Sequence, residues 1–428
     1  MRILIEPGSY TCRNMGDLAM FLATVARLEQ RWPEAELVTF TSAPDRLRRY
    51  APRVTPYSIE DRELLLAAHH PHWGLPHRMP LAARVRLGLG RLVASAPRFV
   101  RARRPAGSRI GNRDRPDQEG WRGILRSLSL VAVSGAGGLC DPFLRHAWST
   151  LELLQIAAAA GVPTALFSQG IGPMRAPLLR SKAGAVLPRV TLVALREPRE
   201  GPRLLRELGV AADRIHVGGD DAVELAYRVR GPATGCCLGV NLRLAGYANL
   251  DPARAASVLA TVRQFARARS LEVLPIPISF QDLESDLRAV ASVAGPSGSL
   301  ACPEEPAAIA CMVGRCRLVV TGSYHAAVFA LAQGIPAVTL SNSRYYDGKF
   351  TGLAEMFGVG CRVVRLGEVD ALQRLRGALD ELWETGAGLR DLLLRSAVDQ
   401  IARSQATYQR VYEIVSPHQA PPLSRAAP

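Results

Sequence analysis

Two side chains in this 428-residue sequence, His325 and Arg196, are the best candidates for chemistry on an anionic substrate. His325 follows a loop of small residues and begins an almost wholly apolar helix, whose N-terminus favours anions. Its imidazole could act as a general acid or hold a phosphate, although a lone histidine is more often structural. Arg196 ends an apolar strand, so its guanidinium pairs either with Glu197 or Asp220, or with a ligand carboxylate or phosphate.

Three glycine-containing loops follow predicted strands in the first half of the chain. Their candidate ligand residues are Asn14, Gly16 and Asp17, then Gly137 and Gly138, then Gln169 and Gly170. Because parallel strands end at one edge of a sheet, we expect these loops to form one wall of a cleft. His325 is expected to face this wall across a gap sized for a small anion. Asp17 has an alternative role as the cap of the following helix.

Other polar residues follow strands later in the chain. Asp220, beside Asp221, is interpreted either as a hinge cap or as a base that orients a hydroxyl acceptor. Ser323 and Tyr324 precede the candidate histidine and are expected to bind the same ligand. Lys349 is predicted to lie in a loop that points at the cleft, either as a solvated surface charge or as a point-charge partner for phosphate.

Alternating apolar runs and helical patterns position these loops and predict two α/β domains with parallel sheets. In the first half, strands are predicted at 2–6, 36–41, 128–134, 163–168, 192–196 and 214–217, with helices at 17–31, 146–160 and 199–208. In the second half, strands are predicted at 237–243, 271–275, 318–321, 336–340 and 362–364, with helices at 252–269, 306–313, 326–333, 353–357 and 369–415. The pattern indicates Rossmann-like domains at 1–225 and 226–415, and a flexible tail at 416–428.

Composition narrows the classes of function. The net charge of +15 comes mostly from arginine, and thirteen arginines lie between residues 70 and 126. We interpret this segment as a solvated insertion, with contact to an anionic membrane or a lipid-linked acceptor as the alternative. No nucleic-acid recognition motif accompanies it. The eight cysteines lack metal-site spacing, and no apolar segment has the length of a membrane span, so we expect a cytoplasmic protein without a metal, with peripheral contact to the inner membrane face as a variant.

Taken in order, the motifs resemble the polysaccharide pyruvyl transferase family. They are N-M-G-D at 14–17, S-G-A-G-G-L-C-D at 134–141, S-Q-G-I-G-P at 168–173, A-L-R-E at 194–197, G-D-D-A at 219–222, G-V-N-L-R at 239–243 and G-S-Y-H-A-A-V-F-A-L-A-Q-G-I-P-A-V at 322–338. The resemblance covers about residues 3–358 apart from the insertion. It implies two Rossmann-like domains in a GT-B-like arrangement, with the donor bound by the C-terminal domain.

The resemblance also implies a reaction. The family moves the enolpyruvyl group of phosphoenolpyruvate onto a sugar or glycan hydroxyl, commonly as a pyruvate ketal, without a metal or nucleotide cofactor. On this resemblance Arg196 holds the donor carboxylate or phosphate, and His325 lies beside the donor as an acid or a phosphate partner. Asp17 or Asp220 would orient the acceptor.

Two other functions stay open at the level of sequence. A GT-B glycosyltransferase that uses a nucleotide sugar would suit the same twin sheets, with Glu304 and Glu305 as weak candidates for ribose or diphosphate contacts. A non-catalytic carbohydrate-binding or assembly protein is the third hypothesis. The acceptor, which could be a glycan, a lipid-linked sugar or a small glycoside, and the oligomeric state are not readable from the residues.

Overall fold

The first parallel sheet has seven strands in the order β3-β2-β1-β4-β5-β6-β7. The computed structural model describes residues 1–69, 118–232, 235–244, 246–281, 285–286, 289 and 303–416. The strands are β1 Arg2–Glu6, β2 Glu36–Phe40, β3 Thr55–Tyr57, β4 Leu130–Val133, β5 Thr164–Gln169, β6 Leu192–Leu195 and β7 Ile215–Val217. Sequence order reverses between β1 and β4, so the loops after these two strands lie side by side at a topological switch point.

Helices cover both faces of this sheet and bury its apolar strands. They are α1 Met15–Arg31, α2 Pro44–Tyr50, α3 Ile59–His69, α4 Gln118–Ser127, α5 Leu144–Ala159, α6 Pro177–Val186 and α7 Glu200–Glu207, with short 3-10 turns at Asp141–Phe143, Leu187–Arg189 and Ala212–Arg214. Strands β4, β5 and β6 are buried at every residue, as expected for continuous apolar runs in a parallel sheet.

The second parallel sheet has five strands in the order β12-β11-β10-β8-β9. These strands are β8 Cys237–Asn241, β9 Val273–Pro275, β10 Cys316–Thr321, β11 Ala337–Ser341 and β12 Cys361–Arg365. The helices are α8 Ala222–Arg228 before β8, then α9 Pro252–Ala268, α10 Pro306–Gly314, α11 Tyr324–Ala332, α12 Arg344–Phe357 and α13 Ala371–Val415, with a 3-10 turn at Gly246–Ala248. The switch point of this sheet lies between β8 and β10.

The predicted fold class is confirmed: the chain forms two α/β domains with parallel sheets. The predicted elements are found with ends displaced by a few residues, except that α12 begins earlier than predicted. The elements that were not predicted are strand β3 and helices α2, α3, α4, α6 and α8. Strand β3 was not predicted, because it has three residues and contains Pro56. Helix α12 begins at Arg344 rather than at Leu353, so the prediction that Lys349 lies in a loop is wrong.

The last helix joins the two sheets. Its first half packs Leu375, Leu379 and Leu382 into the core of the second sheet, and its second half lays Tyr408 against Phe167 of β5, with ring centroids 3.8 Å apart. The end of the helix therefore crosses back to the first domain.

The proposed division at residue 225 falls inside α8, and most of the predicted insertion at 70–126 lies outside the described residues, as does the predicted tail beyond residue 416. Residues 118–126 of that insertion belong to α4, which places Trp121 and Leu125 in the core. One face of this helix therefore packs into the first domain. In the part of the chain that the structure describes, no helix is both long and apolar enough to cross a bilayer.

Candidate functional site

Arg196 and His325 meet at one carboxylate between the two domains. Arg196 Nη1 lies 3.3 Å from Asp220 Oδ2, and His325 Nε2 lies 3.7 Å from the same oxygen. Met20 Sδ, on α1, contacts both groups, at 3.9 Å from Arg196 Nη1 and 3.1 Å from His325 Nε2. Of the two pairings considered for Arg196 within the protein, the structure shows the one with Asp220. Four elements thus converge on one point: β6, the loop after β7, α1 and α11.

The expected open gap between the two side chains is absent in this structure. Arg196 is 2% exposed, His325 6% and Lys349 4%, so none of them faces bulk water. The domains are held together nearby by backbone hydrogen bonds from Met15 to Ile278 and from Phe280 to the Arg13 carbonyl, each 2.8 Å long. A donor can therefore reach these groups only after this contact opens or the side chains move.

Lys349 is a buried member of the site and not a solvated surface charge. It lies on α12, and its Nζ donates to the Gly137 carbonyl at 3.2 Å and sits 3.5 Å from the centre of the Tyr345 ring. The Tyr345 hydroxyl donates to the same carbonyl at 3.1 Å. Burial, and after it the nearby positive charge of Arg196, lower the pKa of Lys349 to about 7.

Two glycines allow the domains to approach so closely. A Cβ atom on Gly16 would lie 2.0 Å from Cγ and Nδ1 of His325. One on Gly137 would lie 2.2 Å from Lys349 Nζ and 3.0 Å from Arg196 Nη2. Because real Cβ contacts are not this short, any side chain at these positions would displace the candidate residues.

The Arg196 guanidinium also stacks on Tyr324, with Cζ 4.0 Å from the ring centre. Gly170 lies on the other side, since a Cβ there would be 2.9 Å from Arg196 Nε. Neither Arg196 Nε nor the Tyr324 hydroxyl has a hydrogen-bond partner among the described residues, although both are buried. Buried polar atoms usually have a partner, so these two are available to a ligand.

Several other predicted site residues have structural contacts. Asn14, and not Asp17, caps α1, because its side-chain oxygen accepts from the amides of Gly16 and Asp17 at 3.1 and 3.2 Å. The interpretation of Asp17 as the cap is therefore wrong, and Asp17 is left in the first turn of α1, near enough to raise the pKa of both Arg196 and Lys349.

Gln169, Gly138 and Ser323 lie around the centre, where the Gln169 carbonyl accepts from the Arg196 backbone amide at 3.1 Å. The Gln169 amide donates to the Ser134 and Phe167 carbonyls at 2.6 and 3.1 Å. Gly138 lies against His146, since a Cβ on it would be 2.4 Å from the ring. Ser323 precedes α11 and donates its amide to Thr321 Oγ1 at 2.8 Å.

Arg243 is a site residue that was not singled out from the sequence. It follows β8 at the switch point of the second sheet, where a Cβ on Gly322 would lie 3.0 Å from its backbone nitrogen. Its Nη1 pairs with Asp286 Oδ1 at 2.7 Å, and its Nε donates to the Tyr247 hydroxyl at 3.1 Å. The signal was present in the G-V-N-L-R motif, which places an arginine just after a buried strand, as A-L-R-E does for Arg196.

The electrostatics of the centre favour an anion. Burial lowers the pKa of His325 well below its ordinary value, and the positive charges of Arg196, Lys349 and Arg243 lower it further. The imidazole is therefore neutral at pH 7. Burial raises the pKa of Asp220 to about 6, against the opposing effect of Arg196. A bound anion would relieve the repulsion among these cations and raise the pKa of both His325 and Lys349.

The described residues contain no group of three His, Cys, Asp or Glu side chains that could hold a metal ion. The groups that meet at the centre are cations, one imidazole and one carboxylate of raised pKa. Such groups can hold a phosphate or carboxylate and move a proton to or from it.

Comparison with known proteins bears on what that anion is. The sequence model of the polysaccharide pyruvyl transferase family matches residues 14–344. This range contains the candidate residues from both domains, except Lys349. A comparison with curated proteins finds no match.

Solved structures share the fold. A putative UDP-N-acetylglucosamine 2-epimerase from Listeria monocytogenes is 12% identical, with a TM-score of 0.55 over 97% of this chain and 96% of that one. S. aureus MnaA in complex with UDP is 13% identical, with a TM-score of 0.57 over 97% and 96%. Anabaena Alr3699/HepE in complex with UDP-glucose is 14% identical, with a TM-score of 0.53 over 97% and 100%. At these identities the similarity shows a GT-B fold and nothing further.

Proposed function

This chain belongs to the polysaccharide pyruvyl transferase family, and we propose that it transfers the enolpyruvyl group of phosphoenolpyruvate to a sugar or glycan hydroxyl and closes a pyruvate ketal. The proposal is supported mainly by one observation: Arg196, Lys349 and Arg243 surround a neutral histidine with positive charge. A donor that carries both a carboxylate and a phosphate would compensate that charge.

Each group has a role in this reaction. Arg196 has an unpartnered Nε and Lys349 is a compact ammonium, so they would hold the donor carboxylate and phosphate. Once the anion is bound, the pKa of His325 rises and the imidazole gains the proton that it needs to act as an acid. Asp220 or Asp17 would orient the acceptor hydroxyl.

The atoms balance as follows. A proton adds to the methylene carbon of phosphoenolpyruvate and leaves an oxocarbenium-like centre at the adjacent carbon. One acceptor hydroxyl attacks that centre and loses its proton, phosphate departs, and a second hydroxyl closes the ketal and loses its own proton. One of the two released protons restores the acid, and the other leaves with phosphate. The cations stabilise the departing phosphate, so no metal is needed for charge neutralisation.

The direct test is incubation of the protein with phosphoenolpyruvate and a panel of glycosides. We expect release of inorganic phosphate together with an acceptor mass gain equal to one pyruvic acid molecule less one water molecule. Phosphate release without a mass gain would indicate hydrolysis of the donor. If glycan, lipid-linked and small glycoside acceptors all give neither signal, the proposal is contradicted.

The nucleotide-sugar alternative is tested by thermal shift in the same preparation. Ligands that bind only the folded protein raise its melting temperature, so phosphoenolpyruvate is expected to do so and UDP-sugars are not. Glu304, a candidate ribose ligand for that alternative, accepts hydrogen bonds from Arg46 instead. Protection by UDP-sugars alone would favour a glycosyltransferase. Biological activity that is fully retained in a double variant with Arg196→Ala and His325→Ala would favour a non-catalytic binding protein.

A further inference from the structure

Asp220 and Asp221 are adjacent but face opposite directions. Asp220 points to the centre of the site, towards Arg196 and His325. Asp221, which is fully buried, points to the back of the loop and contacts groups that the proposed reaction does not use. Because one peptide unit separates the two carboxylates, whatever fixes Asp221 also fixes Asp220.

Three side chains hold the Asp221 carboxylate. Arg27 Nη1 donates to Oδ1 at 2.6 Å, and the Tyr408 hydroxyl donates to Oδ2 at 2.7 Å. Ser404 Oγ donates to Oδ1 and also accepts from Arg27 at 2.6 Å. Arg27 belongs to α1, whereas Ser404 and Tyr408 belong to α13. Buried charged groups need such partners, and a carboxylate with three of them has little freedom to move.

The backbone of the loop at residues 218–221, which follows β7 and carries both aspartates, is also held in place by its neighbours. A Cβ on Gly218 would lie 3.2 Å from Ser404 Cα, and one on Gly219, whose φ is +115°, would lie 2.9 Å from Gln400 Cβ. From the other side, Ser168 Oγ donates to the Gly219 carbonyl at 3.0 Å and accepts from the Asp221 amide at 2.9 Å. The loop therefore lies between β5 and α13, with no room on either side.

We propose that Asp221, Ser404 and Tyr408 are positioning residues, through which helix α13 holds the Asp220 carboxylate in place between Arg196 and His325. The inference rests on the proposed function, because the position of Asp220 matters for catalysis only if the site carries out the proposed reaction. The geometry itself can be tested without substrate.

The test uses NMR titration of ring-labelled histidine in the full chain. The His325 signal is assigned by its loss in a His325→Gln variant. The titratable and charged groups that face Asp220 are Arg196 just after β6, Tyr324 and His325 from α11, and Asp221 on its own loop. Because the carboxylate lies 3.7 Å from His325 Nε2, its ionisation shifts the imidazole signal, with a midpoint expected near pH 6.

Tyr408→Phe removes the hydroxyl and keeps the ring that stacks on Phe167. With a looser loop, water reaches Asp220, and the midpoint moves down towards the ordinary aspartate range near pH 4. Tyr412→Phe is the matched control, because Tyr412 lies one turn further along α13 and packs on Trp32, with ring centroids 5.1 Å apart. It is expected to keep the wild-type midpoint. In the pyruvyl transfer assay, Tyr408→Phe is expected to lower kcat about tenfold with little change in donor KM.

Ser404→Ala serves as the second variant if Tyr408→Phe does not fold. It removes one donor to Asp221 and is expected to move the midpoint in the same direction. A wild-type midpoint in both folded variants would overturn the inference. Absence of pyruvyl transfer in the wild type would overturn the proposed function alone, because the NMR midpoint is measured without phosphoenolpyruvate.

Discussion

At the scale of single residues, burial sets the charge state of the site before any ligand binds. His325 is kept neutral by burial and by three neighbouring cations, and Lys349 has its pKa lowered to about 7 by burial and by Arg196. Asp220 has its pKa raised to about 6, mainly by burial. Groups poised near neutral pH are suited to proton transfer, and a bound anion changes the charge state of all of them together.

His325→Gln is expected to lower kcat at least about 100-fold, the lower end of the usual contribution of a general acid. The melting temperature should change little, since glutamine still fills the space beside Met20 and Gly16. Steady-state phosphate release and differential scanning fluorimetry measure the two quantities. His216→Gln is the control, because His216 lies on β7 and, among the described residues, its ring hydrogen-bonds the Asp213 carbonyl at 3.1 Å. Unchanged kcat in the His325 variant would make this histidine structural.

Donor affinity is expected to fall as the pH rises through about 7, because Lys349 loses its proton there. The donor phosphate has a second pKa near 6, so its own charge changes mainly below pH 7 and is nearly complete above it. Calorimetric titration with phosphoenolpyruvate between pH 6 and 8.5 should show about a tenfold loss, the size expected when a charge-assisted hydrogen bond is removed. In Lys349→Met the affinity should be weak and nearly independent of pH.

The control for that titration is the second lysine of the chain. Lys182 lies on α6 and pairs with Glu152 at 2.7 Å, and Lys182→Arg should keep the wild-type pH dependence. A Lys349→Met variant with the same pH dependence as the wild type would mean that another group controls donor binding.

At the scale of elements, the end of α1 nearest the site depends on its cap. Asn14 accepts from two amides of the first turn, and this turn holds Gly16 against His325. Asn14→Ala is expected to lower the free energy of unfolding by about 1 kcal/mol, the usual cost of a lost N-cap. Urea denaturation measures it.

Asn14→Asp separates capping from ligand binding, because aspartate caps equally well but has no amide donor. Stability should therefore be restored. If the donor KM of Asn14→Asp equals the wild-type value, Asn14 has a structural role only. A donor KM above the wild-type value in this variant would support the sequence-based prediction that Asn14 binds substrate.

The sequence predicted most elements because apolar runs and helix ends are local signals. Helix α12 was predicted from Leu353 onwards only, since Gly348 and Gly352 interrupt its first half and glycine is a poor helix former. Tertiary packing stabilises the helical conformation of this first half, because its aromatic face, with Tyr345, Tyr346 and Phe350, is buried against the core. The same packing turns Lys349 inwards, which no local pattern could indicate.

At the scale of the whole molecule, the sequence could predict that distant loops converge but not how closely. The motifs indicated which strand ends carry polar residues, and the parallel topology put those ends together. The contact of Gly16 with His325, and of Gly137 with Lys349, depends on how the two sheets are placed relative to each other. That placement is fixed by contacts between residues far apart in sequence, such as Asn14 with Ser279.

Since the site is closed, the interdomain contact is expected to open during turnover. Hydrogen–deuterium exchange should show faster exchange at the Met15 and Phe280 amides, which bond across the domains, than at the Val131 amide, which bonds within the first sheet. Phosphoenolpyruvate should slow exchange at Met15 and Phe280 if it bridges the domains. Equal rates at all three amides would mean that the contact opens only on global unfolding.

Helix α13 runs for 45 residues, roughly 70 Å at 1.5 Å per residue, and its last turns lie behind the loop that carries Asp220. On the ribosome both sheets are complete once β12 has emerged, yet Gln400, Ser404 and Tyr408 are translated afterwards. A polypeptide interrupted between residues 366 and 399 would contain every residue of the site and would lack the contacts by which α13 supports Asp220. The site therefore gains its full support for Asp220 late in biosynthesis, after the two domains that contain the reactive groups have formed.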